Sequence, residues 1–202
     1  MYKVMIKLRG IEQELEGTVE KEGTVEIQGI EYDIDTLPFD IPISGTLYGT
    51  LLNFKGAYEA LKPQMSETPY KNEPQAPVLY IKPKNTFISN GKPIPLPEDE
   101  KELEMGAALG IVIGKTAKKV TEENALNYVL GYTVVNDVSI PHNNFHRPAV
   151  KEKARDGFCP IGPWITLKEF VQNPNDLAIK VLINGEVVQE NSTKNLIRSV
   201  EK

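Results

Sequence analysis

The stretch from Leu177 to Glu190 reads LAIKVLI, then Asn-Gly, then EVVQE, and it constrains the fold more than any other part of the chain. Two runs that mix apolar and polar positions flank a pair of residues that tolerate positive φ. That is the signature of an antiparallel hairpin closed by a type I′ turn at Asn184-Gly185. Strand-like runs recur earlier in the chain, and at the N-terminus they are so short and charged that they need a larger body to lie on. Lys3–Leu8, Thr24–Ile27 and Ile30–Ile34 are strand-like, with Gly17, Gly23 and Gly29 at the breaks. TLYGTLL, VLYI, TFI and GYTVV follow, and the apolar run GAALGIVIG predicts a fully buried strand.

Helical signals are few. FKGAYEAL reads as a short helix or a loop. TEENALNYV is a brief helix, with Thr121 as cap and Glu122 and Glu123 at the positive end of its dipole. A last helix, TKNLIRSVEK, is expected from Ser192 or Thr193. The tally predicts a β-rich α+β fold. The proline-bearing stretch TLPFDIPISG is the expected linker, which divides the chain into a small N-terminal β element (1–44) and a main domain (45–202). Gln64–Pro77 is expected to be an irregular, lid-like loop.

Charge and composition exclude several classes of function. A net charge of −5 without a basic stripe gives no footprint for nucleic acid. No apolar stretch approaches the roughly 20 residues of a membrane-spanning helix. The start, MYKVMIKLRG, lacks the pattern of a signal peptide, and the single cysteine, Cys159, has no internal disulfide partner. A cytoplasmic location is expected.

Three constellations could carry chemistry. Asn136-Asp137 closes the GYTVV strand, where a carboxylate suits a hard cation such as Mg²⁺, or simply a strand-ending turn. KARDGFCPIGPW begins with Lys153, a candidate for binding a substrate carboxylate or moving a proton. The alternative there is a charged loop entering a Pro/Gly-rich turn, with Trp164 in the core. His142 and His146 have the spacing of a helical zinc pair, but Pro141 and Pro148 interrupt any helix, so two loop histidines are expected. The acidic run PEDEKELE is expected to be a solvated turn. No phosphate loop, dinucleotide fingerprint or nucleophile elbow occurs.

Taken in order, VLYIKPKNTFI, GIVIGKTAKKV, YVLGYTVVNDVS, KARDGFCPIGPWIT, PNDLAIKVLINGEVVQ and NSTKNLI resemble the fumarylacetoacetate hydrolase family. The resemblance extends through TLYGTLLNFKGAYEAL toward the decarboxylase and isomerase of homoprotocatechuate (4-hydroxyphenylacetate) degradation. HRPAVKEKARDGFCPIG is most similar to the decarboxylase-type half. The resemblance implies a mixed β fold, a small unsaturated 2-oxo dicarboxylate as substrate, and Mg²⁺ or Mn²⁺ as cofactor. Asp137 matches the family's metal-binding Asp. Lys153 matches a lysine that contacts substrate, and Lys82 a pocket-lining position. Lys153 is the expected catalytic residue, with Lys82 and Asn136 binding substrate.

The departures are as specific as the matches. The family's Glu-x-Glu metal pair falls on Gly106 and Ala108, while Glu102 and Glu104 lie four residues too early. Its lid His and Glu fall on Ala57 and Ala60, with Glu59 one residue off, and its Ser-Ala-Arg-Asp falls on Ser139–His142. The family domain also continues to a Gly-Thr-Pro loop and closing strands that this sequence does not carry. That implies a truncated chain or a wall supplied by a partner, in a homo-oligomer or with a paralogue. Two functions follow: a decarboxylase or isomerase, or a non-catalytic subunit paired with a metal-bearing homologue.

Overall fold

The computed structural model describes residues 1–143 and 149–202. Its centre is an eight-stranded sheet assembled from the N-terminus and the middle of the sequence. Strands β1 (Tyr2–Ile6), β2 (Leu15–Val19), β3 (Thr24–Ile27) and β4 (Ile30–Asp33) form an antiparallel meander. The small strands β5 (Leu47–Leu51) and β6 (Val78–Lys82) pair separately. They are followed by β7 (Phe87–Ser89), β8 (Ala107–Ile113), β9 (Val129–Asn136) and β10 (Cys159–Leu167). The main sheet runs β4-β3-β2-β1-β10-β9-β8, with β7 parallel to the first half of β10. β1 joins it through Val4↔Thr166 and Met5↔Ile165, so the N-terminal meander shares one ladder system with the later strands.

The hairpin is as expected. β11 (Ala178–Ile183) pairs antiparallel with β12 (Glu186–Ser192), and Asn184 and Gly185 take the positive φ values, 53° and 84°, that a type I′ turn requires. The helices are shorter than the sequence suggests: α1 (Lys55–Leu61), α2 (Glu122–Ala125) and α3 (Val150–Lys153).

Several expectations are corrected. Gly17 lies within β2, not at a break. A Cβ there would stand 2.7 Å from Ile6 Cδ1, so glycine lets the two strands close over Ile6. GAALGIVIG forms β8 but at the sheet edge, with Ile111 and Ile113 40% and 57% exposed. TKNLIRSVEK is a single 3-10 turn, Thr193–Asn195, after which Leu196 bridges Phe54. Thr121 does not cap α2, because its hydroxyl accepts from the Asn124 side chain at 3.0 Å. The stretch TLPFDIPISG carries more than a linker does. Phe39 is buried against Trp164, ring centroids 6.0 Å apart, and bridges Leu8.

Three apolar clusters hold the fold. One lies in the N-terminal meander around Val4, Ile6, Val25 and Phe39. The second gathers Val135, Cys159 and Ile161, and the third Val138, Ile140 and Phe158. Asp137 sits in the chain between Val135 and Val138, where the second and third clusters meet.

Candidate functional site

β9 ends at Asn136, and the next residue delivers a carboxylate into the interior. Side chains alternate along a strand, so Val78, Tyr80 and Lys82 share the inward face of β6, while Leu79 and Ile81 face outward, 58% and 57% exposed. Tyr80 fits there because β5 carries Gly49 opposite it, where a Cβ would collide with the phenol ring at 2.1 Å. α3, only four residues long, brings Lys153 from a third direction.

These segments converge on Asp137. Lys82 Nζ lies 2.8 Å from Asp137 Oδ1, and Lys153 Nζ donates to Oδ2 at 2.8 Å. The Tyr80 hydroxyl donates to the same Oδ2 at 2.6 Å, and the Lys153 ammonium lies 5.5 Å from the Tyr80 ring centroid. Lys82 also donates to the main-chain carbonyls of Lys153 (2.8 Å) and Val138 (3.2 Å). Its side chain is 1% exposed, against 17% for Lys153. Lys82 is thus fully engaged within the protein, and Lys153 is the cation that can reach a ligand.

Electrostatics follow the geometry. Burial alone would raise the Asp137 carboxyl, but the charges of Lys153 and Lys82 and their hydrogen bonds overturn this and hold it below the usual carboxylate range. Burial, the Asp137 charge and the bond to it push the Tyr80 phenol upward, so it stays a neutral donor. Burial pushes the Cys159 thiol up to about 12, with Lys82 pulling the other way. Two ammonium groups and one carboxylate give the cluster a net charge of +1.

Other expected residues lie differently. Asn136 accepts from the Gly106 amide at 2.9 Å and its amide group meets Met105 Sδ at 3.1 Å, so it fastens the start of β8. Glu104 pairs with Ser139 through the backbone, and Glu102 and Glu104 are both exposed. His146 lies outside the described residues. No sequence motif singles out Tyr80, although its position two residues before Lys82 places it on the same strand face. Val78 also borders a separate shallow cavity of about 250 Å³ with Lys55, Tyr58, Glu59 and Arg198.

A divalent metal does not fit these residues. Both Asp137 oxygens already face an ammonium group, so an added divalent ion would meet a centre that is positive before it arrives. Gly106 cannot be read as an open ligand position either. A Cβ there would stand 2.6 Å from the Asp137 carbonyl oxygen, because the two backbones have closed together. No group of three or more His, Cys, Asp and Glu side chains able to hold a metal occurs among the described residues.

The model of the fumarylacetoacetate (FAA) hydrolase C-terminal family matches residues 46–202, more than half of the sequence. The chain belongs to the fumarylacetoacetate hydrolase family. A 4-hydroxyphenylacetate degradation bifunctional isomerase/decarboxylase from Escherichia coli is 43% identical over 157 residues, 78% of this chain and 35% of that protein. The chain spans about a third of the length of the curated relatives of this kind that it matches. Among solved structures, the 2-hydroxyhepta-2,4-diene-1,7-dioate isomerase from Mycobacterium marinum superposes with TM-score 0.72 at 24% identity, covering 100% of this chain and 79% of its own. Maleylpyruvate hydrolase from Sphingobium sp. SYK-6, solved with manganese(II) and pyruvate, gives TM-score 0.73 at 19% identity, covering 98% and 80%. These two likenesses establish the family's β-rich α+β fold for the chain. No helix among the described residues is long and apolar enough to cross a membrane.

Proposed function

We propose that this member of the fumarylacetoacetate hydrolase family is a decarboxylase or isomerase of a small unsaturated 2-oxo dicarboxylate in homoprotocatechuate catabolism, working through Lys153. The observation that carries this is the cationic cluster itself, with Lys82 and Asp137 locked inside the protein and Lys153 on the accessible side. The likeness to the bifunctional isomerase/decarboxylases supports the substrate class.

In decarboxylation the carbon–carboxylate bond breaks and CO₂ leaves. The bonding electron pair moves through the conjugated chain onto the 2-oxo oxygen, giving an enolate. The Lys153 ammonium, preorganised by its bond to Asp137, donates to that oxygen where negative charge develops. A proton from water then reaches carbon, and the position it takes sets the tautomer. Tyr80 and Lys82 hold Asp137 in place and do not touch the reacting atoms. The second carboxylate of the substrate faces the cavity beside Val78, toward Lys55 and Arg198. The same reading divides the chain into residues 1–44 and a site-bearing domain of 45–202, with a cytoplasmic location and an oligomeric assembly.

A second reading is favoured by one observation, that Gly106 and Ala108 supply no carboxylates and α1 carries Ala57 and Ala60. On this reading the chain is a structural subunit beside a metal-bearing paralogue. Lys153→Met separates the two. Loss of one preorganised group costs on the order of 10²–10³ in turnover if Lys153 stabilises the enolate. Activity of a paralogue complex within about twofold of wild type would instead assign the chain a structural role, since a chain that carries no reacting group leaves turnover to its partner. Substrate absorbance decay, with circular dichroism as the folding control, reads the outcome.

A further inference from the structure

We propose that the loop joining β8 to β9 is a binding site for a phosphate group, separate from the reaction proposed above. The loop encloses a surface cavity of about 290 Å³ lined by Lys115, Lys119, Thr121, Asn124, Asn127 and Tyr128. No carboxylate lines it, although Glu122 and Glu123 stand in the same loop. Neither lysine has an ion-pair partner among the described residues. The lining therefore carries two uncompensated positive charges. A phosphate monoester brings roughly −1.5 to −2 near neutral pH, which answers both.

The neutral side chains of the lining also end on a donor. Asn127 donates to Asn124 Oδ1 at 3.4 Å, and Asn124 donates to the Thr121 hydroxyl at 3.0 Å. The Thr121 oxygen is thus occupied as an acceptor, and its own proton is left to donate. Ammonium and hydroxyl donors together are the complement of phosphate oxygens. Lys115 is held over the Tyr128 ring, its ammonium 5.0 Å from the centroid. Lys119 takes a φ of 54°, a conformation that Gly, Asn or Asp holds at less cost than a long side chain. The chain bears that strain at a position whose ammonium lines the cavity. The frame around it is fastened at two points. The Gly114 amide donates to the Tyr128 carbonyl at 2.8 Å, and Lys168, just after β10, donates to the Leu126 carbonyl at 3.0 Å. The whole of β9, eight residues or roughly 26 Å, separates this cavity from Asp137.

The test uses the full chain, labelled with nitrogen-15 and titrated with inorganic phosphate and with glycerol 3-phosphate at fixed ionic strength. Amide shifts should saturate and stay within residues 114–128, and acetate, a singly charged control, should produce none. Lys119→Gly deletes the ammonium where the backbone already suits glycine, so Tm should hold or rise. Its phosphate affinity should fall about tenfold or more, as loss of a hydrogen bond to a charged group requires. Lys115→Gln should weaken binding likewise, and it decides if Lys119→Gly does not fold. Lys118→Gln changes an exposed charge outside the lining and should leave affinity within about twofold. Saturation by both ligands, or by glycerol 3-phosphate alone, assigns the site to phosphomonoesters, and saturation by phosphate alone assigns it to the free ion. Shifts that acetate reproduces, that spread beyond the loop or that never saturate overturn the proposal. So does unchanged affinity in Lys119→Gly or Lys115→Gln, or an equal loss in Lys118→Gln.

Discussion

Asp137→Asn tests the charge cluster without assuming any reaction. Asparagine preserves the shape and leaves an oxygen for the Tyr80 hydroxyl, but it deletes the anion that both ammonium groups face. Lys82 is 1% exposed and Asp137 14% at their side chains, so solvent screening offers little relief. Breaking a buried pair by removing one partner costs about 3–5 kcal/mol, because the remaining charge stays buried and uncompensated. Two cations share this anion, which places the expectation toward the upper half of that range. Urea denaturation at neutral pH reads the difference directly. Its pH dependence supplies a second check. The folded carboxyl is held below its ordinary value, so its contribution is present above the unfolded carboxyl's pKa, near 3.8, and is lost as pH falls through the lower folded value. The gap between wild type and Asp137→Asn should therefore be constant around neutrality and narrow in acid below about pH 4. A gap under about 1 kcal/mol at neutral pH, or one that does not narrow in acid, would refute the buried pairing.

Other changes probe the surroundings of the cluster. Tyr80→Phe removes one hydrogen bond to a charged acceptor and should cost about 1.5–3 kcal/mol by the same denaturation assay. Gly106→Ala drives a methyl to 2.6 Å from the Asp137 carbonyl oxygen, and overpacking of this kind should cost about 1–3 kcal/mol. Cys159 is buried, with its thiol pushed up to about 12, so thiol reagents at pH 8 should label it only as fast as the protein unfolds.

Local signals were legible where local chemistry decides the outcome. Asn184-Gly185 fixes its turn by φ alone, and GYTVV had to end near Asn136-Asp137. β10 was not legible, because CPIGPWITL reads as a turn when Pro160, Gly162 and Pro163 are weighed by propensity. It survives as an inner strand by shifting register between Gly162 and Thr166, where a proline has no N–H to offer. The apolarity of GAALGIVIG points to full burial, and apolarity cannot reveal that β8 has a neighbour on one side only. In the site, Asp137 and Lys153 stood out by motif and end up 2.8 Å apart. The seating of Lys82 could not be read, because two of its three oxygens belong to the main chain and leave no trace in residue type.

That last feature bears on how freely this sequence can drift. A side chain that recognises another side chain is lost when its partner mutates, and the two positions must change together. Lys82 grips the carbonyls of Val138 and Lys153, which every residue type carries. Position 138 can therefore exchange one apolar residue for another, and the three other residues of α3 can vary, without removing either acceptor. The burden of invariance falls on position 82 and on the one true side-chain partner, Asp137. Tolerance around Lys82 is set by where the backbone passes, and Asp137 is the position to which its side chain is tied by charge.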